Sequence, residues 1–236
     1  MKIGIIGAGM IGATTARLFA RSGHDVAIAN TRGPASLAEL VDEIGPRARA
    51  ATVDDAAAFG EIVLLAIPLG RYDTLPAERL VGKIVVDAMN YYPQRDGELR
   101  LDGQTSSELV ARHLRGARLI KAFNTLYFQI LAIRGDPTAP LDERLALFLA
   151  GDDAAAKAAV ARLIEQIGFA PVDTGSLREG GRRQQPGTPL YNVPLIPAAS
   201  RAALREHEGL CGSARSQVLR AAKATSGLTA WFAVVA

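Results

Sequence analysis

Near its start the chain passes from a short apolar run, through Gly7-Ala8-Gly9-Met10-Ile11-Gly12, into an amphipathic stretch carrying Ala13, Ala16, Leu18, Phe19 and Ala20. This order restricts the possible fold more than anything else in the sequence. Residues 2–6 suit a strand buried on both faces, and residues 10–22 suit a helix closed by Gly23, where helices favour a left-handed residue. Each glycine at the join has its own task if a dinucleotide is bound. Gly7 permits the tight turn, Gly9 lets the backbone approach a pyrophosphate, and Gly12 lets helix and sheet pack closely. The helix N-terminus then presents free amides and a partial positive charge. The alternative is a glycine turn without a ligand; the strand before it and the helix after it favour binding.

Strand-like and helix-like runs continue to alternate. Further strands are expected at 25–29, 48–52, 61–67, 83–88 and 118–123, and helices at 35–44 and 105–114, the latter opened by a capping Ser or Thr in Thr105-Ser106-Ser107-Glu108. Strands feeding crossover helices imply an α/β fold, a doubly wound and mostly parallel sheet of the Rossmann type with a small C-terminal lobe. Residues 1–117 form its dinucleotide-binding core. Residues 118–197 complete the sheet and the acceptor pocket, with an apolar strand at 145–150, a helix at 153–167 and a short strand at 170–173 that belong to the same sheet or to a small appended lobe. Residues 175–197, rich in Gly, Pro, Arg and Gln with little period, read as a loop folding over something. From 198 to 236 a tail of uncertain order is expected; it has no acidic residue after Glu208.

Composition excludes several classes of function. Among 236 residues, 27 basic and 24 acidic side chains leave a formal charge of +3, and the basic residues are spread out rather than interleaved with aromatics, so no nucleic-acid partner is expected. A single cysteine, Cys211, and three scattered histidines, His24, His113 and His207, argue against an internal disulfide and a His/Cys metal centre. The expected setting is the reducing cytoplasm. No stretch approaches the roughly 20 apolar residues of a membrane span, and the N-terminus lacks the long apolar region of a signal peptide.

The end of the second strand selects the cofactor. About 20 residues past such glycines an acidic residue would hold the adenine ribose of NAD, and this chain has Asn30-Thr31-Arg32 instead. A carboxylate would repel a 2′-phosphate, whereas an amide, a hydroxyl and a guanidinium can all donate to it. NADP is therefore expected, a solvated Arg32 being the alternative. Ligands of doubly wound sheets lie outside the carboxyl ends of the strands, so Ala66, Ile67 and Pro68, with Ala88, Met89 and Asn90 further on, are expected to line the nicotinamide half of the groove. Pro68 as a plain strand terminator and Asn90 as a plain turn residue are the simpler readings.

Taken with Lys121-Ala122-Phe123-Asn124-Thr125 and Asp173-Thr174-Gly175-Ser176-Leu177, these segments resemble the NADP oxidoreductases dependent on coenzyme F420, and the cytoplasmic oxidoreductase domains of the STEAP metalloreductases share the pattern. The resemblance runs from about residue 1 to about residue 195. It implies hydride transfer between NADPH and a deazaflavin or flavin acceptor, F420 foremost, held against the nicotinamide between the dinucleotide fold and the C-terminal lobe. By position, Asn124, Thr125 and Leu126 would face that second ring, with Met89 and Asn90 nearby. The stretch 178–191 departs from the pattern; the loop 175–191 is expected to cover the pocket, where Arg178, Arg182 and Arg183 could neutralise an anionic acceptor, solvated arginines being the alternative. For Asn124 the simpler reading is a cap on the following helix.

Hydride transfer requires no acid or base, and the sequence announces no catalytic dyad. Lys121 is the one candidate proton handler, its simpler reading being an ammonium paired at a strand edge. The expected partner is a small-molecule redox acceptor, and a homodimer is left open. Two other activities compete: an NADP dehydrogenase of a small carbonyl or imine, and a non-catalytic NADP sensor or docking module.

Overall fold

The computed structural model describes residues 1–209, with side chains described through residue 205. Cys211, His207 and the rest of the expected tail lie outside those limits. Eight strands are formed: β1 (Lys2–Ile6), β2 (Asp25–Ala29), β3 (Ala48–Ala51), β4 (Ile62–Leu65), β5 (Ile84–Asp87), β6 (Arg118–Ala122), β7 (Ala146–Gly151) and β8 (Ala170–Asp173). They make one sheet in the order β3-β2-β1-β4-β5-β6-β7-β8. Every pairing is parallel except β6 with β7. From β1 the chain winds outward to β3, then returns to β4 on the other side of β1, which makes the β1/β4 junction the topological switch point of a Rossmann-type doubly wound α/β fold.

Ten helices accompany the strands among the described residues: α1 (Met10–Arg21), α2 (Ala38–Ile44), α3 (Val53–Phe59), α4 (Ala77–Leu80), α5 (Pro93–Asp96), α6 (Ser106–His113), α7 (Phe128–Ile133), α8 (Ala154–Gln166), α9 (Glu179–Arg183) and α10 (Pro197–Gly209). The two-residue period of the strands divides the core between two faces. Ile3, Ile5, Ile28, Leu64, Val86 and Ile120 pack with α1, α7 and α8. Val63, Leu65, Val85 and Leu119 turn the other way, toward Ala57 of α3 and Val110 and Leu114 at α6. Both faces are covered, which is why these strands read as continuous apolar runs.

Register sets up the functional rim. Ala29, Ile6, Leu65, Asp87 and Lys121 pair in one row across β2, β1, β4, β5 and β6, so these five strands end at one edge. The loops that leave these strands all project from that edge.

Several expectations need correction. Residues 34–37 form a 3-10 turn before α2 rather than part of one helix. The stretch 175–197 contains α9, whose buried Gly180 packs so tightly on Thr174 and Ala150 that a Cβ there would overlap both. The expected tail begins as α10, whose Ala203 packs with Phe148 and Val172. α3 and α7 were not anticipated. Residues 145–173 extend the same sheet, with β7 reversed against β6.

Candidate functional site

The three glycines of the first turn separate by environment. Gly7 has φ +110°, and a Cβ there would overlap the Ala66 carbonyl; a Cβ on Gly12 would overlap the Gly7 carbonyl. Packing alone therefore demands glycine at both places. Gly9 differs, because a Cβ on it would meet nothing within 4 Å and its φ of −76° suits any residue. Nothing among the described residues requires a glycine there. Gly9 is also the N-cap of α1, with no capping side chain and no acidic residue in the first turn. The amides of Met10, Ile11 and Gly12 thus face outward at the switch point, beside a Met10 side chain that is 66% exposed. Ala8 packs on the core behind the turn.

At the end of β2 the roles of Asn30, Thr31 and Arg32 divide. Asn30 Oδ1 accepts from the Arg32 amide at 2.9 Å, and its Nδ2 donates to Ser36 Oγ at 2.9 Å. Asn30 thus shapes the loop rather than offering its whole amide to a ligand. Ser36, whose hydroxyl also donates to the Gly33 carbonyl at 2.8 Å, was missed by the sequence reading. Thr31 and Arg32 are exposed, and the Arg32 guanidinium has no partner among the described residues. Ala66, Ile67 and Pro68 leave β4 beside the glycine turn, held by the Ala66 amide on the Ile6 carbonyl.

Farther along the rim, β5 and β6 end in polar residues that are almost sealed from water. Asp87, Lys121, Asn124 and Thr125 are each at most 3% exposed. Asp87 Oδ1 accepts from the Met89 amide at 2.9 Å, and Oδ2 accepts from Ser107 Oγ at 2.6 Å and from Lys121 Nζ at 3.2 Å. Lys121 also donates to the Met89 carbonyl. Burial pushes the Lys121 ammonium below the usual lysine range, with Asp87 opposing the shift. Lys121 is paired, as its simpler reading had it, but not at an edge: β6 is interior to the sheet and the ammonium is enclosed with Asp87.

Phe123, fully buried and edge-to-face with Phe19 at 5.8 Å, has φ +64°. That left-handed residue costs about 1–3 kcal/mol and turns the chain so that Asn124 follows along the rim. Asn124 Nδ2 donates to Asn90 Oδ1 at 3.0 Å and to the Gln184 carbonyl at 2.8 Å, while Asn90 Nδ2 donates to the Asn124 carbonyl at 2.9 Å. Main-chain carbonyls therefore dictate which end of each amide is nitrogen. Asn124 does not cap α7, whose N-cap is Tyr127 without a side-chain bond.

Gln184, just past α9, is the most informative residue that the sequence reading missed. Its Nε2 donates to Thr174 Oγ1 at 2.9 Å, and that hydroxyl donates to the Leu149 carbonyl at 3.0 Å. With the amide nitrogens committed, Asn124 Oδ1, Gln184 Oε1 and Thr125 Oγ1 are buried without a partner among the described residues. Each such group costs about 1–3 kcal/mol until something satisfies it. Met89 and Leu126 are both buried, Met89 in the core on the α3 and α6 face of the sheet and Leu126 in the core on the α1, α7 and α8 face.

The segment 175–192 is tied to this rim at several points. The Asn192 amide donates to the Thr125 carbonyl at 2.8 Å at this rim, while the Leu177 amide donates to Asp152 Oδ1 at 3.0 Å beyond the end of β7, toward the opposite edge of the sheet. Tyr191 shares a hydroxyl-to-hydroxyl hydrogen bond with Tyr92, which together with burial pushes its phenol above the usual range. Of the three arginines expected to meet an anion, Arg182 donates to the Gly103 carbonyl at 2.9 Å, Arg183 donates to the Thr174 carbonyl at 3.1 Å, and Arg178 is exposed.

Open backbone at the switch point, unacidic donors past β2 and a partly unsatisfied polar patch along the same edge define a dinucleotide-dependent oxidoreductase. Comparison with known proteins narrows this class. The sequence profile of the family described as NADP oxidoreductase, coenzyme F420-dependent, matches residues 2–91. A crystal structure provisionally assigned as an F420-dependent NADP reductase from Arthrobacter sp. is 31% identical, covering 75% of this chain and 86% of that one with a TM-score of 0.64. A hypothetical protein from Sinorhizobium meliloti is 38% identical, covering 83% and 95% of the two chains with a TM-score of 0.74. Among curated proteins, the metalloreductase STEAP3 of Rattus norvegicus is 28% identical over 195 residues, which are 82% of this chain and 37% of that protein. The chain spans little more than a third of the length of the curated relatives it matches. The chain belongs to the family of coenzyme F420-dependent NADP oxidoreductases. No helix among the described residues is long and apolar enough to cross a membrane.

Proposed function

We propose that the protein transfers hydride between NADPH and a ring acceptor of the deazaflavin or flavin type, coenzyme F420 foremost, in the cytoplasm. The observation that carries the cofactor half is Gly9, a glycine with no internal reason to be one, at the bare N-terminus of α1. In this reading the amides of residues 10–12 hold the pyrophosphate, and the unpaired Arg32 with Thr31 holds the 2′-phosphate. When bound, NADPH supplies the hydride from its nicotinamide ring.

The chain's own contribution is orientation and exclusion of water. Asn90, Asn124, Thr125 and Gln184 give a polar edge along the rim, joined by the bonds described above. Its unpartnered amide oxygens accept hydrogen bonds and do not donate them, so they suit a ring edge or carboxamide bearing N–H groups. Deazaflavins and flavins carry such an edge. The family description and the 31% identical Arthrobacter structure favour F420 within that class.

The test is to mix purified protein with NADPH and, separately, F420, FMN, FAD and a ferric chelate, and to follow NADPH absorbance. Oxidation with F420 well above the other arms supports the proposal. Tight NADPH binding without oxidation in any arm would instead favour a sensor or docking module.

A further inference from the structure

We propose that the buried Asp87–Lys121 pair is a positioning device, holding the Met89–Asn90 bend where hydride transfer needs it; this rests on the function proposed above. The two residues pair in register at the last position of β5 and beside the end of β6, with both side chains at most 2% exposed. Their neighbourhood is otherwise apolar, with Leu65, Val85, Val110 and Leu119 on the same face of the sheet. In such a place two well-packed apolar residues commonly serve stability as well as an ion pair does. What an apolar pair cannot do is hold a peptide. Asp87 takes the Met89 amide and Lys121 gives to the Met89 carbonyl, so both polar groups of one residue are gripped from two adjacent strands. Ser107, from the first turn of α6, fixes the carboxylate in turn.

The grip is passed on. Asn90, the next residue, exchanges two hydrogen bonds with Asn124, and Asn124 donates to Gln184. A shift of Met89 would therefore move one wall of the proposed pocket relative to the segment that closes it. Transfer between two rings is steep in their separation, and a misplacement of about 1 Å costs on the order of 100-fold in rate. Lys121 is enclosed and committed to Asp87 and Met89, which suits a positioning role better than proton exchange with solvent.

The chain has three methionines, Met1, Met10 and Met89, and two of them stand at the places that matter. Carbon-13 labelling of their methyl groups lets NMR read both halves of the site at once. Lys121→Leu alone would strand a buried carboxylate, so the informative change is the neutral pair Asp87→Asn with Lys121→Leu, which adds no methionine signal; Ser107→Ala is a milder second variant. Expected for the paired variant are a Met10 signal that responds to NADP+ with wild-type affinity, and a displaced and broadened Met89 signal. Turnover with the acceptor identified above should fall about 30-fold or more, with the KM for NADPH unchanged within about twofold. Ser107→Ala should move the Met89 signal in the same direction and slow turnover several-fold. Wild-type turnover and an unmoved Met89 signal in either folded variant would overturn the proposal. A Met10 signal that ignores NADP+ in the wild type would overturn the NADP site instead, leaving the Met89 signal to decide whether the pair holds the bend.

Discussion

Replacing Gly9 and Gly12 by alanine, one at a time, should separate binding from folding. At Gly9 the new Cβ meets nothing within 4 Å and the backbone is in a region open to any residue. Two small effects on stability oppose each other. A less flexible unfolded chain contributes about 0.4–1 kcal/mol, and alanine is a poorer N-cap than glycine by roughly 0.5–1 kcal/mol. They nearly cancel, so the Tm should stay within about 2–3 °C of wild type. The same methyl group would occupy the space in which a pyrophosphate approaches the backbone, and the Kd for NADP+ should rise at least about 100-fold, or about 2.8 kcal/mol. At Gly12 the Cβ would overlap the Gly7 carbonyl, and main chain cannot move aside as a side chain can. That variant should lose at least about 1–3 kcal/mol of stability. Calorimetric titration with NADP+ and thermal melts of both variants supply the comparison. Wild-type affinity in a folded Gly9→Ala protein would refute the reasoning, because Gly9 would then have no ligand to explain it.

Three further outcomes rest on particular contacts. Arg32→Ala should weaken NADP+ by about 1.5–3 kcal/mol, as for a charge-assisted hydrogen bond, and leave NAD+ nearly unchanged; equal losses in parallel titrations would remove Arg32 from the 2′-phosphate. Asn124→Leu should raise the KM for the acceptor or lower kcat while the Kd for NADPH holds, since it deletes the donor to Asn90 and Gln184 as well as an unpartnered acceptor; steady-state kinetics at saturating NADPH would show it. His24, buried and linked to Gln166 Oε1 at 3.0 Å, has its pKa pushed below 6.5 chiefly by burial, then by the Met1 amino group. The neutral imidazole is therefore favoured in the fold, its contribution complete above the unfolded pKa and lost as pH falls from about 6.5 through the folded value. Urea midpoints at about pH 7.5 and about pH 5.5 should drop more steeply for wild type than for His24→Gln, and equal drops would contradict this.

The first half of the fold was legible because most of its strands are buried on both faces and because Gly7 and Gly12 have steric reasons to be there. Residues 2–6 and 25–29 stand where the apolar runs placed them. What escaped notice is short or held by distant partners. α3 has seven residues, too few for a convincing helical period, although Thr52 with Asp55 three positions on was a capping signal. α9 is set by the fit of Gly180 against Thr174 and Ala150 and by Arg182 on the Gly103 carbonyl, none of which leaves a period in 175–197. At the site, Gly9 and the absence of an acid after β2 could be read directly. Gln184 could not, since its partners Asn124 and Thr174 come together only when the segment after β8 returns to the rim. Lys121 carried a signal that was read the wrong way: a lysine inside Arg118–Ala122, opposite an aspartate ending Ile84–Asp87, marks a buried pair and not an edge.

The most direct measurement tracks the hydride itself. With NADPH carrying deuterium at nicotinamide C4 on the transferred face, and F420 present without oxygen, mass spectrometry of the reduced acceptor should find the deuterium on its ring carbon, and the Asp87→Asn, Lys121→Leu protein should deliver it far more slowly. NADPH oxidised with the label lost to water, or left untouched by F420 and every flavin while NADP+ still binds, would contradict direct transfer between two rings on this rim.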